Sequence, residues 1–186
     1  TNNGSVVSPI SSFDVSNTHP SGLTLAGTNG MTVTRANLFY GTVNNAGMIT
    51  LGTGGTSYAT VQRGVGGNTS PAGSFSGTPV SNPGTGGLIL LYVNGSVPYA
   101  TGTEVPSSRN CRLFYLFDAA DVSLDADVIV DEELNFYGGT GTPSLTIGPH
   151  TLFLNGSITY TVAGNFSGGA GSGLVMNAST TLNGIS

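Results

Sequence analysis

Leu145-Thr-Ile-Gly-Pro-His-Thr-Leu-Phe-Leu-Asn-Gly-Ser-Ile-Thr-Tyr160 is the stretch that decides the fold class of this chain. It holds three apolar triplets, Leu145-Thr-Ile147, Leu152-Phe-Leu154 and Ile158-Thr-Tyr160, separated by Gly, Pro and Asn. Alternation at period two puts the outer residues of each triplet on one side of a strand and the middle residue on the other. The triplets start six or seven residues apart, so each strand is short and the chain turns as soon as it ends.

The same unit recurs outward from this stretch. Leu23-Thr-Leu25, Met31-Thr-Val33 and Leu174-Val-Met176 repeat it, and Asn29-Gly30, Asn94-Gly95, Asn155-Gly156 and Asn183-Gly184 punctuate it as turns calling for positive φ. No segment carries a 3.6-residue apolar period, which predicts under about 5% helix. An antiparallel sandwich uses longer strands, with turn signals about every 8–12 residues. The shorter cadence predicts an all-β β-solenoid (parallel β-helix) of short strands, with three faces and about 20 residues per coil, hence about eight or nine coils. A pair of antiparallel β-sandwiches is the alternative. In a solenoid, Thr and Asn stacked on successive coils would satisfy one another through hydrogen-bonded ladders.

A longer repeat lies over the short one, at an offset of about 100 residues. Val33-Thr-Arg-Ala-Asn-Leu-Phe-Tyr-Gly41 parallels Val130-Asp-Glu-Glu-Leu-Asn-Phe-Tyr-Gly138, and Phe13-Asp-Val-Ser-Asn17 parallels Phe114-Tyr-Leu-Phe-Asp118. The expected organisation is a solenoid unit over 1–104 and a related, continuous unit over 105–186. Residues 52–87, rich in Gly, Ser, Thr and Pro, read as an elaborated loop in the first unit.

Composition narrows the function. Charged residues make up 7% of the chain, against about 25% in an ordinary soluble domain. A hydrophobic share of 38% nevertheless supplies a core, so the chain should fold. The net charge is −5 and the four basic residues, Arg35, Arg63, Arg109 and Arg112, are scattered. Nothing here forms a basic stripe for phosphates, which argues against nucleic-acid binding. The longest apolar run, Leu88-Ile-Leu-Leu-Tyr-Val93, is far short of the roughly 20 residues of a membrane helix, so no membrane insertion is expected. Cys111, the single cysteine, lies among apolar residues and reads as a core thiol.

Val122-Ser-Leu-Asp-Ala-Asp-Val-Ile-Val130, the Leu145–Ser157 run and Leu174-Val-Met-Asn177 together resemble the β-helix repeats of large Bacteroidota cell-surface adhesins. These are cargo of the type IX secretion route, and gliding-motility adhesins are among them. Leu23 to Gly52 carries a degraded copy of the pattern. Two departures stand out: Asp131-Glu-Glu133 and Arg35-Ala-Asn37 occupy usually small polar positions, and Phe39-Tyr40 and Phe136-Tyr137 replace Leu/Thr positions. The resemblance implies an extracellular or cell-surface location and assigns no catalytic residues.

Site chemistry concentrates in Asp118, Asp121, Asp125, Asp127, Asp131, Glu132 and Glu133, which are all of the nine carboxylates except Asp14 and Glu104. Hard oxygen ligands at such density could hold Ca²⁺, with Asp121, Asp125 and Asp127 as the candidate ligands. The spacing is not that of an EF-hand loop, and the blander reading is a set of outward charges that keep the coil soluble. No other cofactor is expected. A β-helix lyase would set Arg109 or Arg112 beside such carboxylates. The two histidines, His19 and His150, read as turn residues, and nucleophilic and zinc chemistry lack their parts, so the chain is read as no enzyme. The sequons at Asn3, Asn68, Asn94, Asn155, Asn165 and Asn177 follow from an Asn/Ser/Thr-rich composition. Of Tyr58, Tyr92, Tyr99 and Tyr160, most should pack on the coil, and an exposed ring could stack on sugars.

The expected function is that of a rigid, adhesive repeat segment. Its partners would be flanking repeats of the same polypeptide, or identical copies, and a surface polysaccharide. A self-assembling filament subunit and a polysaccharide-active enzyme are the rival readings. The coil pattern runs to both ends, from Ser12-Phe-Asp-Val15 to Thr180-Thr-Leu-Asn-Gly-Ile-Ser186, which is the pattern of a segment continued in both directions.

Overall fold

The computed structural model describes residues 9–65, 71–93, 97–139 and 141–178. The terminal repeat at 180–186, the turns at 94–95 and 183–184, and the sequons at Asn3, Asn68 and Asn94 lie outside them. The protein is a β-solenoid of about seven turns, and every ladder in it is parallel. This excludes the antiparallel sandwich. Helix is confined to two three-residue 3₁₀ turns among the described residues, at Ala46–Met48 and Gly84–Gly86.

Chain order shows how the coil closes. The first passage contains β1 (Phe13–Ser16), β2 (Leu23–Thr24) and β3 (Met31–Val33). Above them lie β4 (Arg35–Tyr40), β5 (Thr42–Asn44) and β6 (Ile49–Leu51), then β7 (Ala59–Arg63), β8 (Ser74–Ser76) and β9 (Val80–Ser81). Next come β10 (Leu88–Val93), β11 (Tyr99–Ala100), β12 (Asn110–Phe117), β13 (Asp121–Ser123) and β14 (Val128–Tyr137). The last passages hold β15 (Ser144–Thr146), β16 (Thr151–Leu154), β17 (Ser157–Tyr160), β18 (Asn165–Ser167) and β19 (Gly173–Met176).

Three faces result. The first is β3-β6-β9, the second begins β1-β4-β7-β10-β12, and the third is β2-β5-β8 below and β11-β13-β15-β18 above. From β12 upward the first two faces merge. The ten-residue β14 spans both, pairing with β16 through Val128–Val130 and with β17 through Glu133–Phe136.

The core is a set of stacked columns. On the second face one inward column runs Phe13, Ala36, Val61, Leu90, Phe114, Leu134, Ile158. A coil therefore takes 20 to 29 residues, more than the sequence cadence suggests, and the turns number about seven rather than eight or nine. The neighbouring column runs Val15, Leu38, Arg63, Tyr92, Leu116, Phe136, Tyr160. It stacks Leu38 under Phe136, whereas the sequence repeat aligns Phe39 with Phe136. The repeat is thus one residue out of structural register, and a one-residue slip exchanges the two faces of a strand. Leu38 and Phe136 are accordingly buried, while Phe39 is only half-buried.

Residues 52–87 correct the sequence reading. Their described residues are not a loop but hold β7, β8 and β9, one strand on each face. At Gly52, Gly73, Gly84 and Gly86 the glycine reflects backbone stacked directly on backbone, where a Cβ would meet main-chain atoms. Two turns at the corner between the first and second faces, 52–58 and 82–87, lie one on the other through Gly54 N–H to Asn82 O (2.8 Å) and Thr85 N–H to Gly55 O (3.0 Å). A Cβ at Gly86 would stand 2.2 Å from Ser57 O. The Asn-Gly turns tell the same story. Gly156 does not need positive φ, but a Cβ there would come within 1.8 Å of Glu132 O in the coil below. Composition alone cannot separate these two reasons for a glycine.

The sheet of the second face runs from β1 through β7 and β10 into β14, so the two sequence units share one ladder across residue 104. Gly86→Ala is expected to lower stability by about 1–3 kcal/mol through overpacking between coils. Gly169→Ala, with nothing within 4 Å of its Cβ, should change it little. Urea unfolding of the two variants checks this.

Candidate functional site

The carboxylates that cluster in sequence are spread around the coil, each with its own partner. Asp121 lies on the third face and accepts from Ser144 Oγ. Asp125 accepts from Arg109 Nη2 (2.6 Å) and Thr101 Oγ1 (2.5 Å). Asp127 caps the next coil by accepting from Thr151 N–H (2.7 Å). Asp131 opens an amide ladder in which Asn155 donates to it (2.8 Å) and Asn177 donates to Asn155 (2.7 Å). Glu132 pairs with Arg112. Glu133 accepts from Tyr115 Oη (2.9 Å), Thr159 Oγ1 and Asn135 Nδ2. Asp118 holds Gly139 N–H at 2.9 Å.

Asp121, Asp125 and Asp127 are therefore not brought together. Among the described residues no group of three or more His, Cys, Asp or Glu side chains is placed to hold a metal ion. The physical reason is the fold itself: Asp121 lies in β13 on the third face, while Asp125 and Asp127 lie in the turn that follows and bond to opposite neighbours, Thr101 in the coil below and Thr151 in the coil above. Burial opposes the charged form of Asp125, but the Thr101 hydroxyl and the Arg109 guanidinium outweigh it and hold its carboxyl below the usual range. Tyr115 is pushed up to about 12 by burial and by the Glu133 carboxylate it donates to.

Other expected residues fall as follows. Cys111 is buried, with its thiol 3.6 Å from Ile129 O and pushed up by burial. His150 sits in a turn, and His19 anchors another through its ring and carbonyl. Tyr92 is buried, Tyr99 and Tyr160 pack on the core, and Tyr58 is 43% exposed. Arg109 and Arg112 are each paired, with Asp125 and Glu132 respectively.

Two sites emerge that the sequence reading passed over. The first is inside the coil. Arg63 stands in the inward column between Leu38 and Tyr92, 6% exposed. Its Nη1 donates to Glu104 Oε1 (2.8 Å) and Ala100 O (2.7 Å), and its Nε donates to Gly73 O (2.7 Å). Tyr92 Oη and Gly102 N–H also donate to Glu104 Oε1, at 2.9 and 3.0 Å. The Tyr99 ring lies under the guanidinium at 5.1 Å. Burial works against the Arg63 charge, and the adjacent Glu104 carboxylate reverses this and raises its pKa; burial also raises that of Tyr92.

This cluster sits where the side faces are broken. Among the described residues the β3-β6-β9 and β2-β5-β8 sheets both end at the third coil, and β11 starts a new sheet above. Arg63 spans the gap, tying Gly73 below to Ala100 and Glu104 above. A signal existed in the sequence: alternation through Ala59-Thr-Val-Gln-Arg63 already places Arg63 on the side of Ala59 and Val61.

The second site is a groove of about 950 Å³ on the first face at the same level, open to solvent. Its floor is a ledge, the 82–87 turn, which rests on 52–58. From the coil above, Arg112 donates Nη1 to Thr85 O (3.2 Å) and Gly86 O (2.9 Å), with its guanidinium 5.2 Å from the centre of the Tyr58 ring. Asp131 and Glu132 form the opposite wall. Compared with family models, curated proteins and solved structures, the chain matches none. The fold defines the class, a parallel β-solenoid.

Arg63→Met should cost about 3–5 kcal/mol because it leaves Glu104 buried without its partner. The double variant Arg63→Met/Glu104→Gln should recover part of that loss in urea unfolding. Adding millimolar Ca²⁺ is expected to leave the melting temperature unchanged, since a ligand stabilises only through a site on the folded state. A rise of several degrees, abolished by Asp125→Ala with Asp127→Ala, would restore the Ca²⁺ reading.

Proposed function

We propose that this chain is a rigid, adhesive segment of a large extracellular bacterial surface protein. The observation that carries the proposal is the continuous parallel sheet from β1 to β19, which makes the coil a single stiff ladder. At about 4.8 Å per coil, seven turns give a reach of about 34 Å. Every carboxylate of the acidic stretch is engaged in holding coils together or pairing with arginine, which is the use a stalk makes of polar groups. Low charge, the absence of lysine and the resemblance to surface-adhesin repeats support an extracellular setting.

The test is retention without turnover. Beads coated with the protein should hold to polysaccharide-coated surfaces under flow, and incubation with the same polysaccharides should release no new reducing or unsaturated ends. Product release abolished by Arg109→Ala or Asp125→Ala would replace the stalk with an enzyme.

A further inference from the structure

We infer that the groove above the ledge is a binding site for a neutral polysaccharide chain. This inference rests on the adhesive reading above and gives it a location and a ligand class.

Three features point there. The groove is large and open to solvent, suited to a chain that lies across it rather than a small molecule that is enclosed. Its polar groups are planar and complementary. Arg112 is fixed by two carbonyls and Glu132, yet its Nη2 has no partner among the described residues. Asp131 uses one oxygen for Asn155, and Glu132 one for Arg112, so a second carboxylate oxygen of each also has no partner among them. A donor fork beside two acceptors matches the vicinal hydroxyls of a sugar, each of which both donates and accepts. Ser107 and Asn110 add further groups of the same kind. Between the polar groups, half-buried Pro83 offers a flat C–H surface, and exposed Tyr58 stands beside Arg112 on the ledge.

Charge selects the class. Arg112 is already neutralised by Glu132, while Asp131 is exposed and anionic on a chain of net charge −5. An acidic polysaccharide would meet repulsion here and no free cation. An extended peptide is also a poor fit. Strand addition needs a row of backbone donors, and Pro79 and Pro106 remove donors on both flanks of the groove.

The test uses the whole chain in affinity electrophoresis through gels containing neutral glucan, mannan or galactan, or acidic alginate or polygalacturonate. At least one neutral gel should retard the protein, with little dependence on salt. Ser107→Trp, which fills the groove from an exposed turn, should weaken that retardation at least tenfold. Asp131→Asn with Glu132→Gln should weaken it several-fold, and Ser76→Trp on the exposed third face should leave it unchanged. Unchanged circular dichroism and melting temperature would show that the variants fold. Retardation that Ser107→Trp leaves intact would overturn the groove while the adhesive reading stands. Retardation only by an acidic glycan, or by none, would overturn the inference. Product release in the turnover assay would overturn the stalk reading separately.

Discussion

One strand spacing, about 4.8 Å, governs this molecule. Each coil sits on the one below through a parallel ladder, so whatever lies between two coils must fit that gap. Apolar side chains meet the condition by stacking in columns, as Phe13 to Ile158 do. Hydroxyls and amides meet it by bonding to their counterparts one coil away, as Thr146 does to Ser167 (3.0 Å) and Asn177 to Asn155 (2.7 Å). Each such bond contributes only about 0.5–1.5 kcal/mol net. Their value lies as much in fixing the register, since a slipped coil would break all of them together.

The same condition explains the glycines and the acidic stretch. Where turns rather than strands stack, the gap leaves no room for a Cβ, and Gly84, Gly86 and Gly156 follow. Where carboxylates occur, they turn toward the adjacent coil and serve as acceptors, as Asp127 does for Thr151 N–H. A dense run of acids in sequence is thereby converted into separate inter-coil contacts.

The break in the two side faces is the exception, and the molecule handles it inside and outside. Inside, Arg63 and Glu104 take over from the missing ladders, joining three carbonyl and carboxylate acceptors across the gap. An isolated buried charge would be untenable there, so the pair, Tyr92 and the Gly102 N–H form one satisfied network. Outside, the change from a wide, turn-rich corner to the straight β14 leaves a step, and that step is the groove. The interior plug and the candidate site thus have one cause.

Much of this was legible in the residues. Period-two triplets every six or seven positions named the all-β solenoid, because alternation and spacing are local properties of a strand and its turns. The core thiol of Cys111 and the turn roles of His19 and His150 could be read from their neighbours in the same way. Other features are set by what stacks on what. Residues 52–87 looked like a loop because glycine signals flexibility by composition, whereas Gly52, Gly73, Gly84 and Gly86 signal close approach. The Phe39–Phe136 alignment was one residue out, because similarity does not report which side of the strand is inward. Asp121, Asp125 and Asp127 looked like a ligand set, because nearness in sequence is not nearness around a coil. The partnership of Arg63 with Glu104, 41 positions apart, and of Arg112 with the ledge came only with the tertiary structure, since both depend on registers that no single coil contains.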